Sequence, residues 1–282
     1  MFTDTSQSNA RKSIDCRSDG AAELSFTLTD GESRLKHLYQ SDPCRVLFPS
    51  SRVNGPKEAV IVTTSGGVVG GDRLRFDIHG GTSTTATVTT QAAEKVYRST
   101  GEDSVIDISI SVRDAAFLEW VPQETILFEG ARLRRFTDIA TFGSGRFIAG
   151  EIVVFGRRAR NEKFTNGLLH DAWRIRTGDA LVWLDSLHLD GDIGKTINDR
   201  YAFDGAATLA TVVYGGFDAK DRLAFAREVI RSGAVTCVDN ILIARFIDVD
   251  AARLRANVAR YWIDLRSELG GLPPVLPRVW ET

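Results

Sequence analysis

From about residue 21 to about residue 215 apolar and polar side chains alternate with a period of two. Leu24, Phe26 and Leu28 alternate with polar neighbours, and so do Leu74, Phe76 and Ile78. In VIDISISV, Ile106, Ile108, Ile110 and Val112 share one side, while Asp107, Ser109 and Ser111 share the other. Successive side chains of a strand point to opposite faces, so each run predicts a half-buried strand. The run TSTTATVTT (82–90) adds β-branched content. Turn signals separate the runs: Asp30-Gly31, Asn54-Gly55-Pro56, Gly80-Gly81, Gly143-Ser144-Gly145, Thr177-Gly178-Asp179 and Asp190-Gly191. A dozen or more short strands with no helical pattern between them predict one large all-β body.

The period changes near the C-terminus. In DAKDRLAFAREVIRSG, Asp218 is the expected N-cap, Gly233 the expected stop, and Leu223, Ala226, Val229 and Ile230 the apolar face. A longer helix is expected from Asp250 to a stop at Gly270, with the stripe Leu254, Val258, Tyr261/Trp262, Leu265 and Leu269. The tail GLPPVLPRVWET is proline-rich and reads as ending on an exposed Trp280. Residues 1–20 are polar and expected to be frayed, leaving 21–282 as a single domain without linker or exact repeat.

Composition narrows the class. The 282 residues are 43% apolar and 26% charged, which is globular rather than disordered or collagenous. Lys+Arg 35 against Asp+Glu 37 leaves a formal charge of -2, so no global field draws nucleic acid or an anionic membrane. Of the basic residues 28 are arginine and 7 lysine, and arginine suits bidentate, partly desolvated pairing. Cys16, Cys44 and Cys237 lie far apart and form no CxxC, so neither a disulfide framework nor a structural zinc site is expected. No run has the length of a signal peptide or a membrane span, so a cytoplasmic location is expected.

Candidate chemistry is sparse. AVIVTTSGGVVGGDRLRFDI fails as a phosphate loop, because Val68 breaks the dinucleotide fingerprint and Asp72-Arg73 follow Gly71 where a P-loop needs Lys and Ser/Thr. What remains is a glycine-rich crossing where backbones pack closely, or a ligand-contacting loop. There is no GxSxG, and His37, His79, His170 and His188 are scattered without a metal-binding spacing, each reading as a lone histidine. Glu119, Glu124 and Glu129 could supply the carboxylate pair of an all-β carbohydrate-active enzyme, or stand at turns. Glu151 and Asp185 lie inside apolar runs, so each must be paired, protonated or metal-facing; Arg157, Arg158, Arg174 and Arg176 are the expected partners.

The blocks SGGVVGGD (65–72), TTQAAEKVYRS (89–99), LEWVPQETILFEGAR (118–132), GRRARNE (156–162) and PRVW (277–280) together resemble the urease accessory protein family UreD, also called UreH. The resemblance runs from about residue 45 to the end. It implies a β-solenoid-like (β-helical) body with two C-terminal-half α-helices and no catalytic activity of its own. It further implies a scaffold or chaperone that joins UreF and the GTPase UreG on apo-urease and helps insert nickel. Polar residues lining an internal nickel passage are part of that implication, with Asp72, Glu94, Glu151 and Asp185 in the matching positions and no permanently bound cofactor. Oxygen ligands suit transit, since they hold a divalent ion weakly where thiolates would trap it. Three positions depart from the family pattern: Glu94 stands where a small hydroxylated residue is usual, Asp185 where glutamate is usual, and Asn161 where glycine is expected.

Overall fold

A computed structural model describes residues 17–50 and 55–281, so Cys16, most of the polar start and Asn54 of one turn signal lie outside the described residues. The first part of the chain supplies β1 (Asp19–Thr29), β2 (Glu32–Ser41), β3 (Cys44–Leu47), β4 (Lys57–Thr63), β5 (Arg73–Gly80), β6 (Thr85–Thr90), β7 (Glu94–Val96) and β8 (Ser104–Val112). Then follow β9 (Phe117–Trp120), β10 (Thr125–Leu127), β11 (Arg132–Thr141), β12 (Arg146–Phe155), β13 (Asn166–Thr177), β14 (Ala180–Asp192), β15 (Thr208–Gly215), β16 (Ala234–Val238) and β17 (Ile241–Asp248). From β4 to β13, apart from the short β7 and β10, the strands alternate between two sheets. One sheet has the order β14-β13-β11-β8-β5-β1-β2, and the other β16-β17-β15-β12-β9-β6-β4-β3.

The centre of each sheet is parallel: β1, β5, β8, β11 and β13 in the first, and β4, β6, β9 and β12 in the second. The chain therefore winds as a flattened coil, and one turn carries it from Arg73 to its neighbour Val105. This is the expected β-solenoid-like body. Short strand β10 pairs with the end of β12 and with β7, adding a small third face. Antiparallel strands close both ends of the coil: β2 and β3 at one, β14 and β15–β17 at the other.

The predicted alternation holds in the first sheet, whose outer face meets water. Ile106, Ile108, Ile110 and Val112 are buried while Ser109 is exposed. The β1–β2 turn has Asp30 at φ 53° and Gly31 at φ 77°, both left-handed, as a two-residue hairpin joining right-twisted strands requires. Residues Asp19 and Gly20, at the end of the polar start, already pair with Arg73 and Leu74.

Two of the three α-helices among the described residues are the expected ones. Helix α1 (Ile193–Asn198) was not foreseen: one turn and a half long, it buries only Ile193 and is capped by Asp192, whose carboxylate accepts from the Lys195 N–H. Helix α2 (Ala219–Val229) ends four residues before Gly233, because Ile230 turns extended. Asp218 precedes it without capping it; its carboxylate is taken by the Tyr214 hydroxyl and Arg222. Helix α3 (Ala251–Gly270) is capped by Asp250, and its expected stripe is buried. It runs one residue further than expected, since Gly271 (φ 62°) rather than Gly270 takes the left-handed position. One apolar core fills the coil between the sheets, and a second lies between the outer face of the β12–β15–β17 region and helices α2 and α3.

The terminal tail is a correction. Trp280 is only 6% exposed and packs in the second core, its indole N–H donating to the Val121 carbonyl at 3.1 Å. The Arg255 guanidinium lies 4.6 Å over its ring and also donates to the Trp280 carbonyl.

Candidate functional site

The glycine-rich segment packs as a close crossing. A Cβ on Gly67 would stand 2.5 Å from the Lys95 carbonyl oxygen, and one on Gly70 would stand 2.5 Å from the Glu102 carbonyl oxygen. Between them Val68 bridges to Val96 and extends the small third face. Asp72 is buried and ties this loop to the start of β1: its two carboxylate oxygens accept from the Ser18 N–H at 2.7 Å and the Val69 N–H at 2.9 Å.

A chain of neighbouring strand positions leads inward from there. Glu94 sits beside Thr125 in the β7–β10 register, and Thr125 beside Val153 of β12. Glu94, Gln123, Thr125, Arg135, Glu151 and Trp173 help line one partly open cavity of about 40 Å³, room for a water or two. Burial pushes the Glu94 carboxyl up to about 7, against a hydrogen bond from Thr63 and with help from the nearby Asp72 charge. The Cys44 thiol, buried in the same region, is raised to about 11 by desolvation and by Glu94.

Deeper still, Arg135 holds two acids. It donates to Glu151 at 2.5 Å, to Asp171 through both Nε (3.0 Å) and Nη2, and to the Thr125 hydroxyl at 2.9 Å. The Trp173 indole donates to the second Glu151 oxygen at 3.1 Å. All three charged groups are buried. Burial, and then the charge of Asp171, push Glu151 well above the ordinary carboxylate range, while the two acids hold Arg135 firmly charged. Asp185 lies one strand further out, beside Trp173 in the β13–β14 register, and pairs with Arg245 across the gap between the sheets. It is about a third exposed rather than buried.

Of the four candidate acids, Glu94 and Glu151 line one cavity, Asp72 is close enough to Glu94 for its charge to be felt there, and Asp185 neighbours Trp173 on the next strand. They do not converge: no cluster of three or more His, Cys, Asp or Glu able to hold a metal occurs among the described residues. The expected arginine partners are wrong. Arg157 pairs with Glu162, and Arg174 and Arg176 pair with Asp138, whereas Arg135 and Arg245 reach Glu151 and Asp185 from other strands. Arg135, Asp171 and Arg245 are the charged residues missed; Asp171 had a signal in the sequence, an acid with Leu168-Leu169 and Ala172-Trp173 close on either side.

The three glutamates weighed as a carbohydrate-cleaving pair each serve a separate structural contact. Glu119, fully buried, accepts from Arg266 (2.8 and 3.0 Å), Trp262 (2.9 Å) and Thr87 (2.6 Å), clamping α3 onto the second sheet. Glu124 pairs with Arg255 at 2.7 Å. Glu129 accepts from the Thr165 N–H and hydroxyl, and these bonds hold its carboxyl below the ordinary range. Asn161 stands at φ 55°, the conformation where glycine is favoured and asparagine is the usual substitute, so that departure costs little.

Three of the blocks singled out in the sequence, 89–99, 118–132 and 156–162, meet at one place on the coil. Tyr97 packs edge-on against Phe128, Arg157 lies 4.1 Å over the Phe128 ring, and Glu162 accepts both from Arg157 and from the Glu129 N–H. The model of the family described as UreD urease accessory protein matches residues 18–281. A urease accessory protein UreD of Magnetococcus marinus is 42% identical over 271 residues, covering 93% of each chain. One from a strain of Rhodopseudomonas palustris is 39% identical over 92% of this chain and 89% of its own. A third relative, the urease accessory protein UreD 3 of a Bradyrhizobium strain, is 37% identical over 94% of both. The chain therefore belongs to the UreD urease accessory protein family.

Proposed function

We propose that this chain is a cytoplasmic, non-catalytic maturation factor for urease, a scaffold that joins UreF and the GTPase UreG on apo-urease. Nickel is its cargo rather than a resident cofactor, and it travels inside the coil along Asp72, Glu94, Glu151 and Asp185. Family membership across residues 18–281 supports the maturation role. The passage rests on one observation: Glu94 and Glu151 line the same cavity, with Asp185 one strand beyond Trp173. Scattered carboxylates bind a divalent ion one or two at a time, which favours transit over trapping. Arg135 and Arg245 must release a carboxylate for each such contact.

That occupancy favours a second reading, in which the same acids only hold the coil together. Glu151→Gln separates the two. It keeps a hydrogen-bonding side chain of the same size, and Asp171 still neutralises Arg135. With Glu151→Gln and Asp185→Asn, the complex with the partner proteins is expected to co-purify intact while the urease it yields contains less nickel and less activity. Normally loaded urease from an intact complex would leave only the structural reading.

A further inference from the structure

Two of the four histidines are not solitary. The β13–β14 hairpin sets His170 directly opposite His188, and their Nδ1 atoms lie 3.3 Å apart on the outer face of the first sheet. Their spacing along the chain has no metal-site pattern, so only the hairpin register brings them together. The ring of Phe136 packs against His170 at 5.5 Å between centroids, which fixes that imidazole edgewise. Both nitrogens cannot carry protons at this distance without a clash between N–H groups, so at least one imidazole is a lone-pair donor aimed at its neighbour.

We propose that His170 and His188 form a surface site for one late first-row divalent cation, zinc, nickel or copper, with water completing its coordination. The separation matches the ligand spacing: two nitrogens each about 2.0–2.1 Å from a tetrahedral ion stand about 3.3 Å apart. Neutral imidazole is a preferred ligand of these ions. Antiparallel strand neighbours hold both rings in place before the ion arrives, so little ordering is needed on binding. With two protein ligands the site exchanges its ion readily. It lies on the opposite side of the first sheet from the buried acids and does not depend on the passage proposed above.

Calorimetric titration of the full chain with Zn²⁺ tests it directly. His170→Ala and His188→Gln are each expected to remove one equivalent, or to weaken it at least about tenfold. His79→Ala, a histidine bonded to Ser111 on the same face, should leave that equivalent in place. Cu²⁺ at one equivalent should give a paramagnetic resonance spectrum split by two imidazole nitrogens, falling to one in either variant. His188 is exposed and His170 half-buried, and circular dichroism will verify that the fold is retained in both variants. Unchanged stoichiometry and affinity in both variants, or no Zn²⁺ binding by the parent chain at millimolar metal, would overturn the site.

Discussion

Arg135 bonds two acids but carries one positive charge, which Asp171 balances while burial favours the neutral form of Glu151, and this asymmetry decides which substitutions the interior tolerates. Replacing it by methionine strands Glu151 and Asp171 together in a buried setting, so Arg135→Met is expected to destabilise the chain by roughly 3–5 kcal/mol in urea unfolding. Glu151→Gln should remove far less, because Asp171 still faces the guanidinium. Glu94 supplies a pH signature. Its carboxyl is ordinary near 4.5 in the unfolded chain and about 7 in the folded one, so between those values the native state holds the extra proton. Stability contributed by this group is therefore complete below about pH 4.5 and is lost as pH rises through 7. Glu94→Gln should flatten that fall, so that its stability relative to the parent improves from pH 5 to pH 8 in matched urea titrations. An equal difference at both values would mean Glu94 does not carry the slope. Glu151 and Asp185 could be singled out because a carboxylate in an apolar run must have a partner. Which arginines supply it depends on register between strands far apart in sequence, and no local pattern carries that.

At the scale of elements, legibility follows solvent. Strands of the first sheet, with one face in water, alternate clearly: β8 buries every second residue. Strands β9, β12 and β15 are buried almost throughout, since the coil interior covers one face and α2, α3 and their neighbours cover the other. Their sequences are near-continuous apolar runs, which is why FIAGEIVVF reads less plainly than VIDISISV. The long stripe of α3 was legible for the same reason as β8, while α1 buries too little to show a period. The tail was misread because its aromatic residue follows three prolines with no periodic context. What holds it is tertiary: Trp280 fills the second core, and Gln123 donates to the Val279 carbonyl. Trp280→Ala is accordingly expected to cost about 3 kcal/mol or more. It should also raise hydrogen exchange in the C-terminal turns of α3 ahead of the coil strands. A loss under 1 kcal/mol, with α3 exchange unchanged, would show the tail to be merely laid on the surface.

At the scale of the whole molecule, the coil's central strands are all paired, and the exposure that remains is at its ends. Strands β14 and β16 are the terminal strands of their sheets, and the Asp185–Arg245 pair places them at one end. That end is unusually apolar: Leu181 is 54% exposed and Leu184 65%, with Val238 and Ile247 also open on β16 and β17. A long edge strand with unpaired backbone groups and exposed leucines is a template for pairing with another chain. The isolated chain is therefore expected to self-associate through β14 and to become soluble when a maturation partner is co-produced. Leu181→Lys combined with Leu184→Lys places charge on that edge without touching the buried acids, and should raise the monomeric fraction of the chain made alone. Sedimentation velocity on parent and double variant decides the matter. A parent chain that is already monomeric at tens of micromolar, or a variant that associates as strongly as the parent, would remove the β14 edge as the cause.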